Sequence, residues 1–300
     1  MFSRRHPILF FLLSLTLIIT VFLTIFTGIL VMGTSMFSSG LIASQGDKAG
    51  NIGVVEIKGF IGSPKKWIQD IKTFRDNDRI KAIVLRINSP GGGIGPSQEI
   101  YREVIKTRKI KEVVTSMGSV AASGGYYIAA ASDKIMANKG TITGSIGVIM
   151  EYANISEAIK KIGLAPIVIK SGEFKDVGSP FRDLEESEKV FLQEVVDELH
   201  LQFVEDVSHA RGIPVEELTP IADGRILTGN SAMALNLVDR IGNLDDAVQW
   251  AGQLAGIQGE AIPVYPAEDT MGWLRKMTTA LFKDLNITGP VSDNFRFVVN

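Results

Sequence analysis

The chain has no cysteine among its 300 residues and only three histidines. The absence of cysteine excludes disulfides, thiolate nucleophiles and cysteine-ligated zinc, so covalent chemistry must come from serine, threonine, lysine or a carboxylate. An excess of charge of one sign is also missing, because 31 Lys and Arg stand against 33 Asp and Glu, giving a formal net charge of −2. With no long basic run either, nucleic acid is not expected as a partner.

No charged residue occurs in the 25 residues at positions 8–32, which are rich in Leu, Ile and Phe. About 20 such residues cross the hydrocarbon core of a bilayer. Arg4 and Arg5 precede the run and the next charged residue is Asp47, so the positive-inside rule predicts a cytoplasmic N-terminus and an exported remainder. The alternative is a cleaved secretory signal peptide, but residues 33–44 offer no clear A-x-A-like site. We therefore expect a single-pass anchor in contact with membrane lipid.

From residue 52 onward the hydrophobic pattern is typical of an α/β fold. Short β-branched runs alternate with helical stretches such as 97–107 and 156–162, which predicts parallel strands joined by crossover helices. A long helix is predicted from Leu184 to Arg211, stopped by Gly212 and Pro214. A further helical pattern at 271–285 indicates core packing or a partner or membrane contact. The predicted strands lie at 54–57, 83–87, 113–116, 147–150 and 167–169.

A glycine-rich segment, Asn88-Ser89-Pro90-Gly91-Gly92-Gly93, follows the predicted strand at 83–87. Glycines there allow backbone N–H groups to approach a ligand closely. A phosphate-binding loop would need the pattern G-x-x-x-x-G-K-[ST], which is missing. An oxyanion hole therefore fits this segment better.

A second small-residue segment contains Ser123, in Ala121-Ala122-Ser123-Gly124-Gly125. At a turn that enters a helix, the Ser123 hydroxyl would be exposed and the N–H of Gly124 would face a developing oxyanion. The alternative is an ordinary N-cap serine in a tight turn. A nucleophilic role therefore requires a base.

Histidine is the usual base, but His6 lies beside the apolar run, and His200 and His209 fall in the predicted long helix, where we interpret them as solvated surface residues. Lysine can act instead when it is neutral, which requires burial or a cationic neighbour to lower its pKa from about 10.4 toward about 7 to 8. The segment 170–180, after the predicted strand at 167–169, supplies such lysines, including Lys175. Composition alone leaves the choice open.

Four segments occur in order along the chain: N-S-P-G-G-G at 88–93, M-G-S-V-A-A-S-G-G-Y-Y at 117–127, T-G-S-I-G-V at 143–148 and S-G-E-F-K-D-V-G-S-P-F-R at 171–182. Together with A-D-G-R-I-L-T-G-N-S at 222–231, this set resembles the short, single-domain form of the signal peptide peptidase A (SppA) family, peptidase family S49. The resemblance runs from about residue 53 to residue 246. Each piece alone occurs widely, but the ordered set with 52 positions from serine to lysine is specific.

The resemblance implies a role for each matching residue. Ser123 corresponds to the nucleophile and Lys175 to the base that removes its proton. Ser145 corresponds to a serine that orients the lysine amine; taken alone it reads as a turn serine between two glycines. The backbone N–H groups of Gly92 and Gly124 correspond to the oxyanion hole. No metal or organic cofactor is required.

The resemblance also implies the surroundings of this site. The fold would be a ClpP/crotonase-like α/β core of stacked βαβ units, preceded by one N-terminal transmembrane helix. Subunits would form a homo-oligomeric ring, and the lysine could act across an interface between them. Peptide substrates would be cleaved signal peptides and other hydrophobic peptides, met at a bacterial cell membrane with the catalytic domain on the extracytoplasmic side. The expected segments are a cytoplasmic N-terminus (1–7), the anchor (8–32), a linker (33–50), the protease domain (51–262) and a C-terminal segment for oligomer or membrane contact (263–300).

Two other functions are compatible with this fold. A crotonase-type acyl-CoA enzyme would need a catalytic carboxylate near the glycines, and a non-catalytic membrane scaffold would need neither Ser123 nor Lys175. A ClpP-type protease would need a histidine about 25 residues after the serine, but position 148 is Val148. The sequence therefore predicts a Ser/Lys protease.

Overall fold

The computed structural model describes residues 8, 11, 14–28 and 50–267. The chain divides into two units, Met1–Gly50 and Asn51–Asn300, and each is described by itself. Within the first unit, residues 14–28 are helical. Over the described ranges, no helix has both the length and the apolar character needed to cross a membrane. The predictions for 1–7, for most of the linker and for 271–285 concern residues outside those ranges.

The second unit has an α/β fold built on one sheet. Its central strands run in the order β5-β3-β2-β1, and all four are parallel. β6 pairs antiparallel with β5, and β8 pairs parallel with β1. β4 pairs with the first half of β3, and β7 pairs with β4. The strands are β1 (Ile52–Lys58), β2 (Ala82–Ser89), β3 (Glu112–Ala122), β4 (Lys134–Ala137), β5 (Ile142–Gly144), β6 (Ile226–Thr228), β7 (Arg240–Ile241) and β8 (Pro263–Val264).

Helices cover both faces of this sheet. Alternation along β1 separates the faces: Val55 and Ile57 join one apolar cluster, and Ile52 and Val54 join the other. The helices are α1 (Lys65–Arg75), α2 (Ile94–Thr107), α3 (Gly124–Ala130), α4 (Ser156–Lys161), α5 (Glu186–Arg211), α6 (Val215–Leu218), α7 (Gly229–Ala234) and α8 (Leu244–Leu254). The predicted parallel α/β core is confirmed.

Helix α5 begins two residues later than predicted and ends where predicted. Glu185 and Glu188 form a capping box at its start, and acidic side chains occupy its first turn, as the helix dipole favours. Gly212 follows in the left-handed conformation, with φ of 65°, which a glycine adopts without steric cost. Local capping signals therefore set both ends of the longest described helix of the second unit.

Two predicted strands are wrong. Residues 147–150 and 167–169 are not in strands, although they are rich in β-branched residues. The side chains of Ile149, Ile167 and Ile169 are 81%, 88% and 97% exposed. A strand needs a hydrogen-bonding neighbour, and β-propensity depends on packing that these residues do not make within the described chain.

The sheet brings three loops to one edge. Because β2, β3 and β5 are parallel neighbours, their carboxyl ends meet at the same side, where open α/β sheets bind ligands. The glycine segment follows β2, Ser123 follows β3 and Ser145 follows β5. The fold therefore collects three of the predicted site segments.

Candidate active site

Ser123 lies between the end of β3 and the start of α3 in a strained conformation. Its φ and ψ are 52° and −122°, a region that costs a non-glycine residue about 1 to 3 kcal/mol and clusters at functional sites. It occupies the N-cap position, yet its side chain makes no capping hydrogen bond. The ordinary N-cap interpretation of this serine is therefore wrong, and its hydroxyl is left for other chemistry.

Ser145 shares this unusual backbone, with φ of 51°. The loops of the two serines are joined, because the N–H of Ser123 donates to the carbonyl of Gly144 at 2.9 Å. The N–H of Ser145 in turn donates to the carbonyl of Arg225 at 2.8 Å. Backbone hydrogen bonds therefore fix both strained serines relative to each other.

The glycine segment lies directly against Ser123. A Cβ placed on Gly91 would come within 2.9 Å of both the Gly124 nitrogen and the Ser123 Cβ, and one placed on Gly124 would come within 3.3 Å of the Gly92 nitrogen. Ile61 holds the segment by donating to the Gly91 carbonyl at 3.0 Å and accepting from the Gly93 N–H at 2.9 Å. These bonds do not use the Gly92 N–H. The backbone nitrogens of Gly92 and Gly124 thus lie close together beside the serine, as an oxyanion hole requires.

Helix α3, which carries Gly124, is buried along its whole length. The Tyr126 hydroxyl donates to the carbonyl of Leu237 at 3.0 Å, and the Tyr127 hydroxyl donates to the carboxylate of Asp206 on α5. Burial, reinforced by Asp206, raises the pKa of Tyr127 well above its usual range and keeps this donor protonated. Ser123 is therefore positioned by a helix that burial and hydrogen bonds hold in place.

Ser123 and Ser145 open onto one cleft of about 510 Å³. Its walls come from the glycine segment, from the chain after β5 and from one face of α5. Apolar side chains dominate the first two walls, whereas α5 contributes polar groups. The lining residues are Pro90, Gly92, Ile94, Ser123, Ser145, Gly147, Val148, Ile149, Gln193, Val196, Asp197, His200, Asp223 and Gly224.

A second depression of about 270 Å³ lies along α5 and shares Gln193 and Val196 with the cleft. Its other lining residues include Met150, Leu184 and Leu192. Tyr152 and Lys189 line it as well, so a mixed apolar and polar surface continues from the cleft along the helix.

His200 is a functional-site candidate that sequence reasoning missed. It is half-buried rather than a solvated surface residue, and it lines the cleft of Ser123. Its Nε2 lies 2.7 Å from the carbonyl oxygen of Ala222, so this nitrogen carries the proton that is donated to that oxygen. The spacing in the sequence could have identified it, because residues 193, 196, 197 and 200 follow the i, i+3, i+4, i+7 pattern of one helical face.

Two carboxylates give the cleft its charge. Hydrogen bonds from Arg225 lower the pKa of Asp223 to about 2, so Asp223 is ionised and already paired. Asp197 accepts a hydrogen bond from the amide of Gln193 at 2.6 Å. Asp197 and His200 therefore line the α5 side of the cleft, whereas Asp223, which precedes β6, is paired with Arg225.

Lys175 lies elsewhere in the single chain. It sits in a 3₁₀ turn, Glu173–Asp176, with its side chain exposed, and it is not among the residues that line the cleft. The single chain thus brings together Ser123, Ser145, Gly92 and Gly124, and leaves Lys175 apart from them.

Comparisons with known proteins are consistent with proteolytic chemistry. The chain matches the family model described as Peptidase family S49 over residues 105–258, and that of Clp protease over residues 61–141. A provisionally named protease of Synechocystis sp. is 42% identical over 226 residues, which are 75% of this chain and 81% of the relative.

Two other relatives carry more specific names. An Enterococcus faecium protein, provisionally named a signal peptide peptidase SppA, is 40% identical over 61% of this chain and 54% of its own length. Protease 4 of Salmonella typhi is 32% identical over 79% of this chain and 37% of its own length. The chain thus spans from over a third to four fifths of these relatives.

Proposed function

Since the chain belongs to peptidase family S49, we propose that it is a membrane-anchored serine endopeptidase with Ser123 as nucleophile and Lys175 as general base. The observation that carries the proposal is the strained, uncapped Ser123 beside the nitrogens of Gly92 and Gly124. Strain held at a cleft by a buried helix is typical of a nucleophile. The family assignment also argues against the acyl-CoA alternative.

The chemistry follows the geometry. The Ser123 oxygen attacks the scissile carbonyl while the free amine of Lys175 takes its proton, and the N–H groups of Gly92 and Gly124 bind the oxyanion. Lys175 then gives the proton to the leaving amine as the C–N bond breaks, which leaves an acyl-enzyme. Water, deprotonated by the same amine, then attacks the acyl carbon; the bond to the Ser123 oxygen breaks, the lysine ammonium returns its proton to that oxygen, and the acid product leaves. Ser145, on the cleft wall, orients the lysine amine.

The cleft fits an extended hydrophobic peptide. Residues 147–149 line it without a strand neighbour in the described chain, and a substrate strand would supply that neighbour by β-augmentation. Ile94, Val148 and Val196 would receive apolar side chains. Remnant signal peptides have this composition, and an anchor at residues 8–32 would hold the enzyme at the membrane where they remain.

Completion of the site requires a second copy of the chain. A base must be desolvated, whereas Lys175 is exposed in the single chain. It belongs to the arm, which we define as residues 150–182, and this arm also exposes Ile162, Ile167 and Ile169. Soluble surfaces rarely expose so many large apolar side chains together. We therefore assign the arm to subunit contacts in a homo-oligomeric ring, where Lys175 of one copy reaches the cleft of its neighbour.

The test uses the full-length chain in detergent and a fluorogenic hydrophobic peptide. Ser123→Ala and Lys175→Ala should each abolish turnover with the fold retained by circular dichroism. Ser119→Ala and Lys109→Ala change exposed residues of the same types outside the arm and should leave turnover unchanged. Normal activity of Lys175→Ala would exclude the dyad, and inactivity of the parent chain on all such peptides would favour a membrane scaffold.

Mixing the two inactive variants tests the subunit arrangement. If Lys175 acts across an interface, subunits that retain Ser123 and subunits that retain Lys175 combine into some intact sites, and activity returns in part. If both residues act within one subunit, the mixture stays inactive. The rate should also rise with pH, because only the free amine is a base; a flat profile between about pH 6 and 9 would contradict a lysine base.

A further inference from the structure

The chain just before β6 continues the antiparallel pairing of that strand with β5. The Ser145 N–H donates to the Arg225 carbonyl at 2.8 Å. One pair further on, the Gly224 N–H donates to the Ile146 carbonyl at 3.0 Å. We name residues 222–225 the bracing turn, because their backbone bonds to Ser145 and to the residue after it.

The bracing turn is itself fixed by a side chain of helix α5. The His200 Nε2 donates to the carbonyl oxygen of Ala222, the first residue of the turn, at 2.7 Å. Ala222 is buried and His200 is half-buried, so loss of this donor would remove the partner of a buried carbonyl. Asp223 accepts two hydrogen bonds from the Arg225 guanidinium. Those bonds lie within the turn, whereas the bond from His200 joins the turn to α5.

Close packing makes the chain around Ser145 sensitive to the position of the bracing turn. A Cβ added to Gly144 would come within 3.1 Å of the Arg225 carbonyl oxygen. One added to Gly147 would come within 3.1 Å of the Gly224 Cα. Because so little free space separates the two segments, a shift of the turn displaces the chain on both sides of Ser145.

The path from the bracing turn continues to the nucleophile. Ser145 follows Gly144 in the chain, and the Gly144 carbonyl accepts the N–H of Ser123 at 2.9 Å. Ser123 and Ser145 both have positive φ, at 52° and 51°. Such conformations persist only where the surrounding structure over-determines them. The bond from His200 is therefore one of the constraints that keep the two serines in place.

We propose that His200 is a positioning residue for the active-site serines, which holds the bracing turn and thereby keeps Ser145 and Ser123 in the geometry for attack. This inference rests on the proposed role of Ser123 as the nucleophile. His200 acts through a hydrogen bond to a backbone carbonyl and transfers no proton to the substrate. Its loss should therefore slow the attack step rather than weaken peptide binding.

The first experiment measures kcat and KM for the full-length chain in detergent with the same fluorogenic peptide. His200→Phe keeps a ring but removes the donor, so kcat should fall by about 10- to 100-fold with little change in KM, as for a small misplacement of reacting groups. His200→Gln carries an amide N–H as many bonds from the backbone as Nε2 and should restore most of kcat. His209→Phe changes an exposed histidine of the same helix and should match the parent chain.

A fluorophosphonate separates positioning from a general loss of structure. The Ser123 oxygen displaces fluoride from this reagent, so the rate constant of labelling reports the placement of the serine and the final amount reports the folded fraction. His200→Phe should lower the rate constant and leave the final amount unchanged. A lower final amount with an unchanged rate constant would indicate a merely structural role, and a raised KM with unchanged labelling would indicate a substrate contact. Either result overturns the inference.

Gly224→Ala tests whether His200 acts through the bracing turn. Gly224 has a φ of 84°, which strains any residue with a Cβ, although nothing lies within 4 Å of the added atom. Both changes disturb the same turn, so the double variant should lose less kcat than the product of the two single losses. Gly256→Ala, with a φ of 68° and equally open space, should leave kcat unchanged. Losses that multiply for the Gly224 pair would refute the route through the turn.

If His200→Phe does not fold by circular dichroism, two amides decide. The Asn side chain is one methylene shorter than Gln and falls short of the Ala222 carbonyl, so a slow His200→Asn beside a fast His200→Gln supports the inference, and equal rates reject it. Ser123→Ala separates the two levels. Activity of that variant would refute the nucleophile, whereas its inactivity together with normal rates in His200→Phe refutes only the positioning role.

Discussion

The Ser123 region and the Lys175 region are built in different ways. Ser123 stands between a central strand and a fully buried helix, and backbone hydrogen bonds fix its neighbours. Lys175 stands on an arm that has no strand neighbour in the described chain and carries isoleucines exposed by up to 97%. In the proposed mechanism, a single chain therefore preassembles the nucleophile and the oxyanion hole, whereas the base depends on a surface that a second subunit supplies.

The largest expected effect is on kcat and arises from a change in the Ser123 region. In Gly124→Ala, the added methyl would come within 2.5 Å of the buried Ser97 hydroxyl and 3.3 Å of the Gly92 nitrogen. Displacing these oxyanion donors should lower kcat by about 10²- to 10³-fold. Gly95→Ala is the matched control, because nothing lies within 4 Å of its added Cβ. Equal kcat values for the two variants would argue against the assigned oxyanion hole.

The next effect is on subunit assembly and arises from a change in the arm that carries Lys175. Ile169→Asp should weaken assembly and lower activity at a given protein concentration, because a charge would have to be buried in the subunit contact. Its secondary structure should stay unchanged, since Ile169 is 97% exposed in the single chain. Ile110→Asp alters an exposed isoleucine outside the arm and should assemble normally. Sedimentation in detergent measures the assembly of both variants. Unaltered assembly of Ile169→Asp would contradict the assignment of the arm to the subunit contact.

Acid should weaken the attachment of the arm. Because Arg182 depresses the pKa of Glu188 from 4.5 to about 2, this pair stabilises the fold above pH 4.5 and loses its effect as the pH falls toward 2. Glu188→Gln should therefore unfold at a lower temperature than the parent chain at pH 7, and the two should converge toward pH 2. Glu186→Gln, an exposed change in the same helical turn, should follow the parent curve. Parallel curves for Glu188→Gln and the parent chain would contradict this role.

The smallest effect is the release of strain at the nucleophile. Ser123→Gly should raise the free energy of unfolding by about 1 kcal/mol relative to Ser123→Ala, because only glycine adopts a φ of 52° without steric cost. Both variants lack the hydroxyl, so the difference isolates the backbone. Urea denaturation measures it, and equal stabilities would show that Ser123 is not strained.

Sequence patterns predicted the parts of the fold that depend on neighbours in the chain. Capping residues marked helix α5 to within two residues of its start, and β-branched runs located β1, β2 and β3. The same reasoning failed at 147–150 and 167–169, where β-branched residues lie in no sheet of the described chain. Strand formation depends on a partner that local propensity does not specify.

The sequence by itself determined which residues are candidates for covalent chemistry. It has no cysteine, it places glycine-rich loops after strands, and it contains an ordered set of motifs that includes Ser123 and Lys175. Only the tertiary structure decided that Ser123 is strained and uncapped, that His200 faces the same cleft, and that Lys175 is exposed in the single chain. The physical reason is that backbone strain, burial and shared clefts arise from contacts between residues distant in sequence, such as the bond from His200 to Ala222.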